Sequence, residues 1–213
     1  MTDEYKTIKC SNETIIYNEI VIKKSRFIAH LKKVSTEEEA IDFVNKIKKK
    51  HYDAKHNCSA FIIGSKKEIL RCSDDREPSG TAGLPMLEIL TSSGLVNVAC
   101  VVTRYFGGIL LGTGGLCHAY KDAVKEVLKK VEISTMVLGD RLEIITDYNF
   151  INPILYEINK NKYIKENISY DEKIISNIII PFKKTDEFIK LVNEISSGKS
   201  IVLIKEKTYF EEI

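Results

Sequence analysis

Two short segments of the sequence concentrate side chains that could bind ions or take part in catalysis. The first holds its candidates between positions 74 and 81: Asp74, Asp75, Glu77, Ser79 and Thr81. Clustered carboxylates can hold a divalent cation, magnesium above all, or act as general acid and base. The same residue types around a Pro-Ser-Gly sequence are typical of tight turns and helix caps, with Gly80 as the turn glycine. The segment therefore indicates either a cation or acid–base site or a structural turn.

Glycines dominate the second segment, which begins at Thr103-Arg104-Tyr105-Phe106 and lies between a predicted buried strand and a predicted helix. Its glycines are Gly107, Gly108, Gly112, Gly114 and Gly115. Backbone N–H groups placed there can converge with the helix dipole on an anion. The spacing resembles the start of a P-loop, but Thr113 stands where a Lys-Ser/Thr pair is required, which disfavours a nucleoside triphosphatase. Tight turns and close packing are the alternative role of these glycines.

The third candidate is His56, which precedes a predicted strand in the sequence His-Asn-Cys. A His/Cys pair can coordinate a metal or activate a thiolate, but no neighbouring base or orienting acid completes such a set, so a hydrogen-bonded structural histidine is the alternative. The five cysteines are odd in number, widely spaced and without a C-x-x-C pair, which indicates free thiols and no structural zinc. No metal and no cofactor is expected.

The charge distribution is local rather than general. The net charge of +2 excludes the dense positive field of a histone-like protein, yet residues 21 to 56 contain ten basic and five acidic side chains. The residues predicted to contact phosphate are Lys23, Lys24, Arg26, Lys48, Lys49 and Lys50. Residues 71 to 122, with four basic and five acidic side chains, are close to neutral. The alternative is a solvated helix face whose basic end suits the helix dipole.

The elements that must position these segments follow from hydrophobic periodicity. Strands are predicted at residues 14–22, 26–34, 57–64, 68–72 and 96–104, the last apolar on both faces and therefore central. A helix follows Ser35, which precedes Glu38 with capping-box spacing; a short helix ends near residue 91, and a longer one covers residues 116–131. After these, strand, helix, strand, strand, helix and strand follow in order, the split βαβ arrangement of ferredoxin-like domains, with Thr185 as the cap of its second helix.

Composition defines the class of protein. The chain has 213 residues, 44% hydrophobic and 29% charged, which is close to globular averages and allows one large or two small domains. Its apolar runs are far shorter than the roughly 18 residues of a membrane span. No apolar signal region opens the sequence, so a cytoplasmic protein without membrane contact is expected.

The chemistry-bearing segments resemble the IMPACT/YigZ family. The resemblance rests on Ser73-Asp74-Asp75, Glu77-Pro78-Ser79-Gly80-Thr81-Ala82-Gly83, Val102-Thr103-Arg104-Tyr105-Phe106-Gly107-Gly108, Leu111-Gly112, Gly114-Gly115-Leu116 and Ala119-Tyr120. Supporting positions extend it over most of residues 20 to 125. There are two departures: Arg76 replaces the usual glycine, and Leu110 replaces the usual lysine.

The resemblance implies an α+β protein of two domains. The N-terminal domain, residues 1–134, would be similar to the second domain of a small-subunit ribosomal protein. The C-terminal domain, residues 135–213, would be ferredoxin-like and similar to a C-terminal domain of elongation factor G. Eukaryotic members regulate translation under amino-acid starvation through an additional N-terminal domain. This chain begins almost directly at the shared domain, so we expect a bacterial-type member whose sphere is translation or RNA.

Three functions remain open from the sequence. The leading hypothesis is a non-catalytic protein that binds RNA or the ribosome and regulates translation, with Arg104, Tyr105 and the glycines of 107–115 as its central surface. The second is an enzyme for a small phosphorylated substrate, with magnesium on the acidic loop and His56 as acid and base. The third is a protein–protein adaptor. The oligomeric state stays open.

Overall fold

The computed structural model describes residues 2–211. Within them, ten strands form two sheets, and five α-helices pack against these sheets. The chain divides into two units, Met1–Thr135 and Met136–Ile213. The first unit contains β1 Glu4–Ile8, β2 Ile15–Ile22, β3 Ser25–Lys33, α1 Glu37–Lys50, β4 His56–Ile63, β5 Ile69–Ser73, α2 Gly83–Ser92, β6 Val98–Tyr105 and α3 Gly112–Leu128. This mixture of helices and antiparallel strands agrees with the predicted α+β class.

The sheet of the first unit has the order β2-β3-β6-β4-β5, with every neighbouring pair antiparallel. β6 lies in the middle, as its apolar character on both faces predicts. Because side chains alternate along a strand, Val98, Cys100 and Val102 face one side, whereas Ala99 and Val101 face the other. Helices therefore have to cover both faces.

α2 and α3 cover one face of this sheet, and α1 covers the other. Leu90 of α2 and Tyr120 of α3 are fully buried in the larger core, while Phe43 and Ile47 of α1 fill the smaller one. Each such side chain stabilises the fold by roughly 1.5–3 kcal/mol through burial. The helices thereby fix where the loops at the strand ends emerge.

One end of the sheet collects all the segments of interest. His56 at the start of β4 pairs with Arg104 near the end of β6, because the two strands run antiparallel. Arg104 also pairs with Phe27, two residues into β3. Four segments therefore lie at the same end of the sheet: the β2–β3 turn, the entry to β4, the loop from β5 to α2 and the loop from β6 to α3.

The second unit contains β7 Ile133–Thr146, α4 Tyr148–Lys160, β8 Ile164–Tyr170, β9 Ile174–Pro181, a 3₁₀ turn Phe182–Lys184, α5 Thr185–Ser196 and β10 Ile201–Glu211. β7 pairs with β10 and β9, and β9 pairs with β8, all antiparallel. The helices pack on one face around Leu142, Ile178 and Phe188. The β-α-β-β-α-β order agrees with the order predicted from the sequence.

Local details differ from the sequence predictions. The cap of α1 is Thr36, whose hydroxyl accepts from Glu39 N at 3.2 Å, while Ser35 N donates to the Glu39 carboxylate at 2.6 Å. The predicted Ser35 and Glu38 pair is one residue too early, because adjacent hydroxyls and three successive glutamates satisfy the spacing in either register. β1 was not predicted.

Two further helix starts also differ. α3 begins at Gly112, four residues before the prediction, because Leu116 is only its first buried residue and periodicity reports the packed part of a helix. Thr185 is the first residue of α5 rather than its cap, and its hydroxyl donates to Asp140 Oδ2 at 2.6 Å. Among residues 2–211, no helix combines the length and the apolar character that crossing a membrane requires.

Candidate functional site

Asp74 organises the acidic loop between β5 and α2. Its Oδ1 accepts from Ala82 N at 2.9 Å and Gly83 N at 2.8 Å, and its Oδ2 accepts from Gly80 N at 2.8 Å. These donors include the start of α2, whose N–H groups have no partner inside the helix. Burial raises the pKa of the Asp74 carboxyl, but the three backbone N–H groups more than offset this and hold it below its ordinary value. Asp74 is thus an ionised anchor for the loop.

Asp75 links the same loop to α1 and β4. Its Oδ1 accepts from Lys48 Nζ at 2.8 Å, and its Oδ2 accepts from Asn57 N at 2.7 Å. Burial opposes ionisation, yet these two hydrogen bonds leave the pKa of Asp75 below its ordinary value. The Asp75 carbonyl lies 3.0 Å from His56 Nδ1. A carbonyl oxygen only accepts, so Nδ1 carries the proton, and Nε2 of His56 has no hydrogen-bond partner within residues 2–211.

Glu77 belongs to a buried network beneath the loop. Its Oε1 accepts from Arg104 Nη1 at 2.6 Å and from the Tyr120 hydroxyl at 2.9 Å. The side chains of Arg104 and Glu77 are only 7% and 3% exposed. Cys58 Sγ lies 3.3 Å from the Tyr120 hydroxyl, and burial raises the pKa of Cys58 to about 12. Cys58 is therefore a protonated core thiol and not a nucleophile paired with His56.

The three carboxylates of the acidic loop thus serve three separate partners. Asp74 holds backbone N–H groups, Asp75 pairs with a lysine and Glu77 pairs with an arginine. Within residues 2–211, no group of three His, Cys, Asp or Glu side chains is placed to hold a metal. The Thr81 side chain also closes the turn, since its Oγ1 donates to Pro78 O at 2.7 Å. Ser79 is exposed.

Gly107 allows the loop after β6 to contact the β2–β3 turn. A Cβ at Gly107 would lie 2.0 Å from the carbonyl carbon of Lys24, so no other residue fits. Gly107 N also donates to Ser25 Oγ at 3.1 Å. This glycine has the structural role that the sequence left as the alternative. Gly108 follows at φ 85, in the left-handed region.

The start of α3 is open, and none of the described side chains caps it. Leu111 precedes the helix, Gly112 begins it at φ 74, and its first turn contains no acidic residue. A Cβ at Gly115 would lie 3.1 Å from Leu111 Cβ, whereas a Cβ at Gly114 would meet nothing within 4 Å among the described residues. Position 114 therefore has room for a side chain, and the N–H groups of the first turn, which have no partner inside the helix, lie at the positive end of the helix dipole.

Tyr105 lies on the other face of the sheet from Arg104, since successive strand residues alternate. Its hydroxyl donates to Asp53 Oδ1 at 2.9 Å and lies 3.0 Å from His51 Nδ1. The Arg26 guanidinium lies over its ring at 5.3 Å. The predicted central surface is thus divided: Tyr105 joins the end of α1, and Arg104 joins the acidic and glycine-rich loops.

Those two loops meet in one open cleft of about 420 Å³. Its lining includes His56, Glu77, Arg104 and Gly112 from the predicted set. The lining also includes side chains that the sequence did not single out as site residues: Lys55, Arg76, Phe106 and Leu110. Three basic side chains therefore line the cleft against one carboxylate. The two departures from the family pattern, at positions 76 and 110, both lie in this lining. These departures are the sequence signal that could have identified Arg76 and Leu110 as site residues.

The six basic residues predicted to contact phosphate fall into two groups. Arg26 forms two hydrogen bonds of 2.9 Å with Glu19, and Lys48 pairs with Asp75, so both charges are compensated. The other four are exposed and form no salt bridge in the described part of the chain: Lys23, Lys24, Lys49 and Lys50. They lie in the β2–β3 turn and at the end of α1.

Comparisons with known proteins cover the whole chain. A family model described as the Impact N-terminal domain matches residues 23–128. The Bacillus subtilis protein "IMPACT family member YvyE" is 42% identical over 212 residues, 100% of this chain and 96% of that protein. The Escherichia coli protein "IMPACT family member YigZ" is 35% identical over 188 residues, 87% of this chain and 92% of that protein. A crystal structure described as a hypothetical protein shares 31% identity and a TM-score of 0.66, covering 97% of this chain and 99% of its own.

Proposed function

The chain belongs to the IMPACT family, and we propose that it is a non-catalytic cytoplasmic protein that binds RNA or the ribosome and regulates translation. The observation that carries the proposal is the open cleft in which the acidic and glycine-rich loops meet. Its three basic side chains and exposed apolar groups are the combination that single-stranded nucleic acid requires. An unpaired strand offers phosphates and bases together.

Four exposed lysines near the same end of the sheet as the cleft support this proposal. Lys23 and Lys24 lie in the turn that touches Gly107, and Lys49 and Lys50 end the helix that is tied to the acidic loop through Lys48 and Asp75. Phosphate contacts of this kind supply affinity without sequence information, and base contacts in the cleft would supply selectivity.

The expected domains belong to the same proposal. The unit over residues 1–134 would correspond to the ribosomal-protein-like domain, and residues 135–213 would correspond to a ferredoxin-like domain similar to one of elongation factor G. The element order β-α-β-β-α-β of the second unit supports the latter assignment. Both correspondences would place the chain among proteins that contact ribosomal RNA.

The geometry favours this function over a magnesium-dependent enzyme. Each carboxylate of the acidic loop already has a partner that depends on its charge, so a cation there would have to displace a cap or break an ion pair. The adaptor hypothesis differs in its test, since a protein partner is retained after nuclease treatment and an RNA partner is not.

A salt series tests the proposal directly. Binding of the full chain to a labelled single-stranded RNA and to purified ribosomes is measured by anisotropy and co-sedimentation. We expect Lys49→Glu with Lys50→Glu to weaken binding and to reduce the log–log salt slope by about 0.7 for each phosphate that is no longer neutralised. The matched control reverses two other exposed lysines, Lys66 and Lys173, and should have a smaller effect. Absence of binding at low salt, or equal effects of both pairs, would refute the proposal.

A further inference from the structure

The cleft has one side that suits a phosphate group. Lys55 and Arg76 line it, and neither forms a salt bridge within residues 2–211. Arg76 Nη2 donates to Lys55 O at 3.0 Å, which holds the guanidinium at the rim. Gly112 and Thr113 bring the uncapped start of α3 to the same cavity. Backbone N–H groups at the start of a helix, the helix dipole and two cations that form no salt bridge within the described residues all favour an anion there.

Arg104 is a rigid cation in the wall of the cleft. Its side chain is more than nine-tenths buried, Glu77 fixes Nη1 at 2.6 Å, and its guanidinium lies between the rings of Phe27 and Phe106, at 5.5 and 5.6 Å. Nevertheless its Nε has no hydrogen-bond partner among the described residues. A buried donor without a partner is unfavourable, so the described residues leave the guanidinium in the cleft wall incompletely satisfied.

Part of the cleft lining is apolar and exposed. Phe106 is 49% exposed and Leu110 is 81% exposed, although both are large hydrophobic side chains. One face of the Phe106 ring packs against the Arg104 guanidinium. Aromatic side chains that are exposed beside cations are the usual stacking platforms for bases. His56 Nε2, which has no partner among the described residues, adds one polar group that can bond a hydroxyl or a base edge.

From these features we infer that the cleft binds one nucleoside monophosphate unit, with its phosphate at the start of α3 beside Lys55 and Arg76 and its base against Phe106. A cavity of about 420 Å³ suits a single small ligand rather than a duplex. A phosphate monoester carries about −1.5 to −2 charge near pH 7, which matches the surplus of basic side chains. A free nucleotide and the 5′-phosphorylated end of an RNA strand present the same chemistry. In its RNA form the inference rests on the proposed function.

The test compares RNA ends. Binding of the full chain is measured with octauridylate labelled at its 3′ end, bearing either a 5′-phosphate or a 5′-hydroxyl, and with uridine 5′-monophosphate and inorganic phosphate as competitors. We expect the 5′-phosphate to strengthen binding about tenfold, since charge-assisted hydrogen bonds to phosphate are strong. Uridine 5′-monophosphate should compete at concentrations at which inorganic phosphate does not, because only the nucleotide stacks.

Variants place the phosphate and the base in the cleft. Arg76→Gly fits the backbone at φ 72 and should abolish the preference for the 5′-phosphate. Leu110→Lys, added to that variant, returns a cation to the same cleft and should restore the preference. Phe106→Ala should weaken binding of either oligonucleotide about tenfold. Two exposed residues outside the cleft give matched controls, Lys66→Gln and Tyr17→Ala, which should change nothing.

The outcomes separate this inference from the proposed function. Equal binding of the two oligonucleotides, together with unchanged binding by Arg76→Gly and Phe106→Ala, overturns the inference while salt-dependent RNA binding leaves the proposed function standing. Binding of uridine 5′-monophosphate without any RNA binding supports the cleft ligand as a free nucleotide and overturns the proposed function. Absence of binding by every probe overturns both.

Discussion

Replacing Glu77 with alanine is expected to destabilise the first unit by about 3–5 kcal/mol, because the change leaves a buried guanidinium without its counter-charge. Arg104 and Glu77 are 7% and 3% exposed and lie 2.6 Å apart, so water cannot freely take the place of the carboxylate. The Tyr120 hydroxyl loses its acceptor at the same time, and an unsatisfied buried group costs roughly 1–3 kcal/mol. The two effects overlap in one network and do not simply add.

This magnitude is large relative to the roughly 5–15 kcal/mol that holds an ordinary domain together. Glu77→Gln keeps an oxygen that can accept from Tyr120 but removes the charge, so its effect should be smaller than that of alanine. When Arg104→Met is combined with Glu77→Ala, the double variant should be less destabilised than the sum of the single variants by about 1–3 kcal/mol. Such coupling is what a direct buried ion pair produces.

Urea unfolding followed by far-ultraviolet circular dichroism gives the free energies of unfolding. Circular dichroism is preferred to tryptophan fluorescence because the chain has ten tyrosines and no tryptophan. Amide hydrogen exchange of α3 reports the first unit separately from the second. Glu88→Ala is the matched control: Glu88 pairs with Lys121 at 2.7 Å on the exposed surface, where removal of a pair costs about 0–1 kcal/mol.

An unchanged or increased stability of Glu77→Ala would contradict the assignment of Glu77 to a buried ion pair. If the three carboxylates converged on a metal site, they would repel one another in the metal-free protein, so removing one of them would stabilise it. That sign would return the acidic loop to the magnesium hypothesis. A decrease in stability equal to that of Glu88→Ala would show that the pair is solvated rather than buried.

Three further predictions concern acid stability and two glycines. Burial, with the positive charges of His51 and Lys50, lowers the pKa of His30 to about 4. Histidine in the unfolded chain takes up its proton near pH 6.5, so the free energy of unfolding should fall by about 3 kcal/mol as the pH drops from 6.5 to 4. In urea unfolding, His30→Leu should show a weaker dependence on pH over this range. Gly107→Ala should lower the melting temperature, since overpacking against the β2–β3 turn costs about 1–3 kcal/mol. Gly114→Ala should raise stability by up to about 1 kcal/mol while it weakens RNA binding; destabilisation by Gly114→Ala would contradict the open space seen there.

The two departures from the family pattern, at positions 76 and 110, both involve a charged side chain. Leu110 removes a cation that the family pattern usually supplies, and Arg76 adds one where the pattern has glycine. Both positions line one cavity. Arg76 has φ 72, in a region that glycine occupies freely and arginine does not, so the backbone had to accept some strain to place a guanidinium there.

Local sequence patterns specify the order and type of most elements of this protein. Periodicity is a local property, so the helix over residues 185–196 and the central strand near 98–105 were predictable from the spacing of apolar residues. Helix starts were less predictable, because adjacent hydroxyls at Ser35 and Thr36 satisfy the same capping pattern, and only burial of Ala40 and Phe43 selects the register. The resemblance to the family also followed from the sequence, since its motifs are contiguous.

The roles of the motif residues, in contrast, depend on tertiary structure. Asp75 meets Lys48 from 27 positions away and Glu77 meets Tyr120 from 43 positions away, so no local pattern identifies these partners. The antiparallel pairing that places His56 opposite Arg104 brings the acidic and glycine-rich loops to one end of the sheet, where they line a cleft. A carboxylate's role depends on which charges surround it, and those charges are assembled by long-range packing rather than by neighbours along the chain.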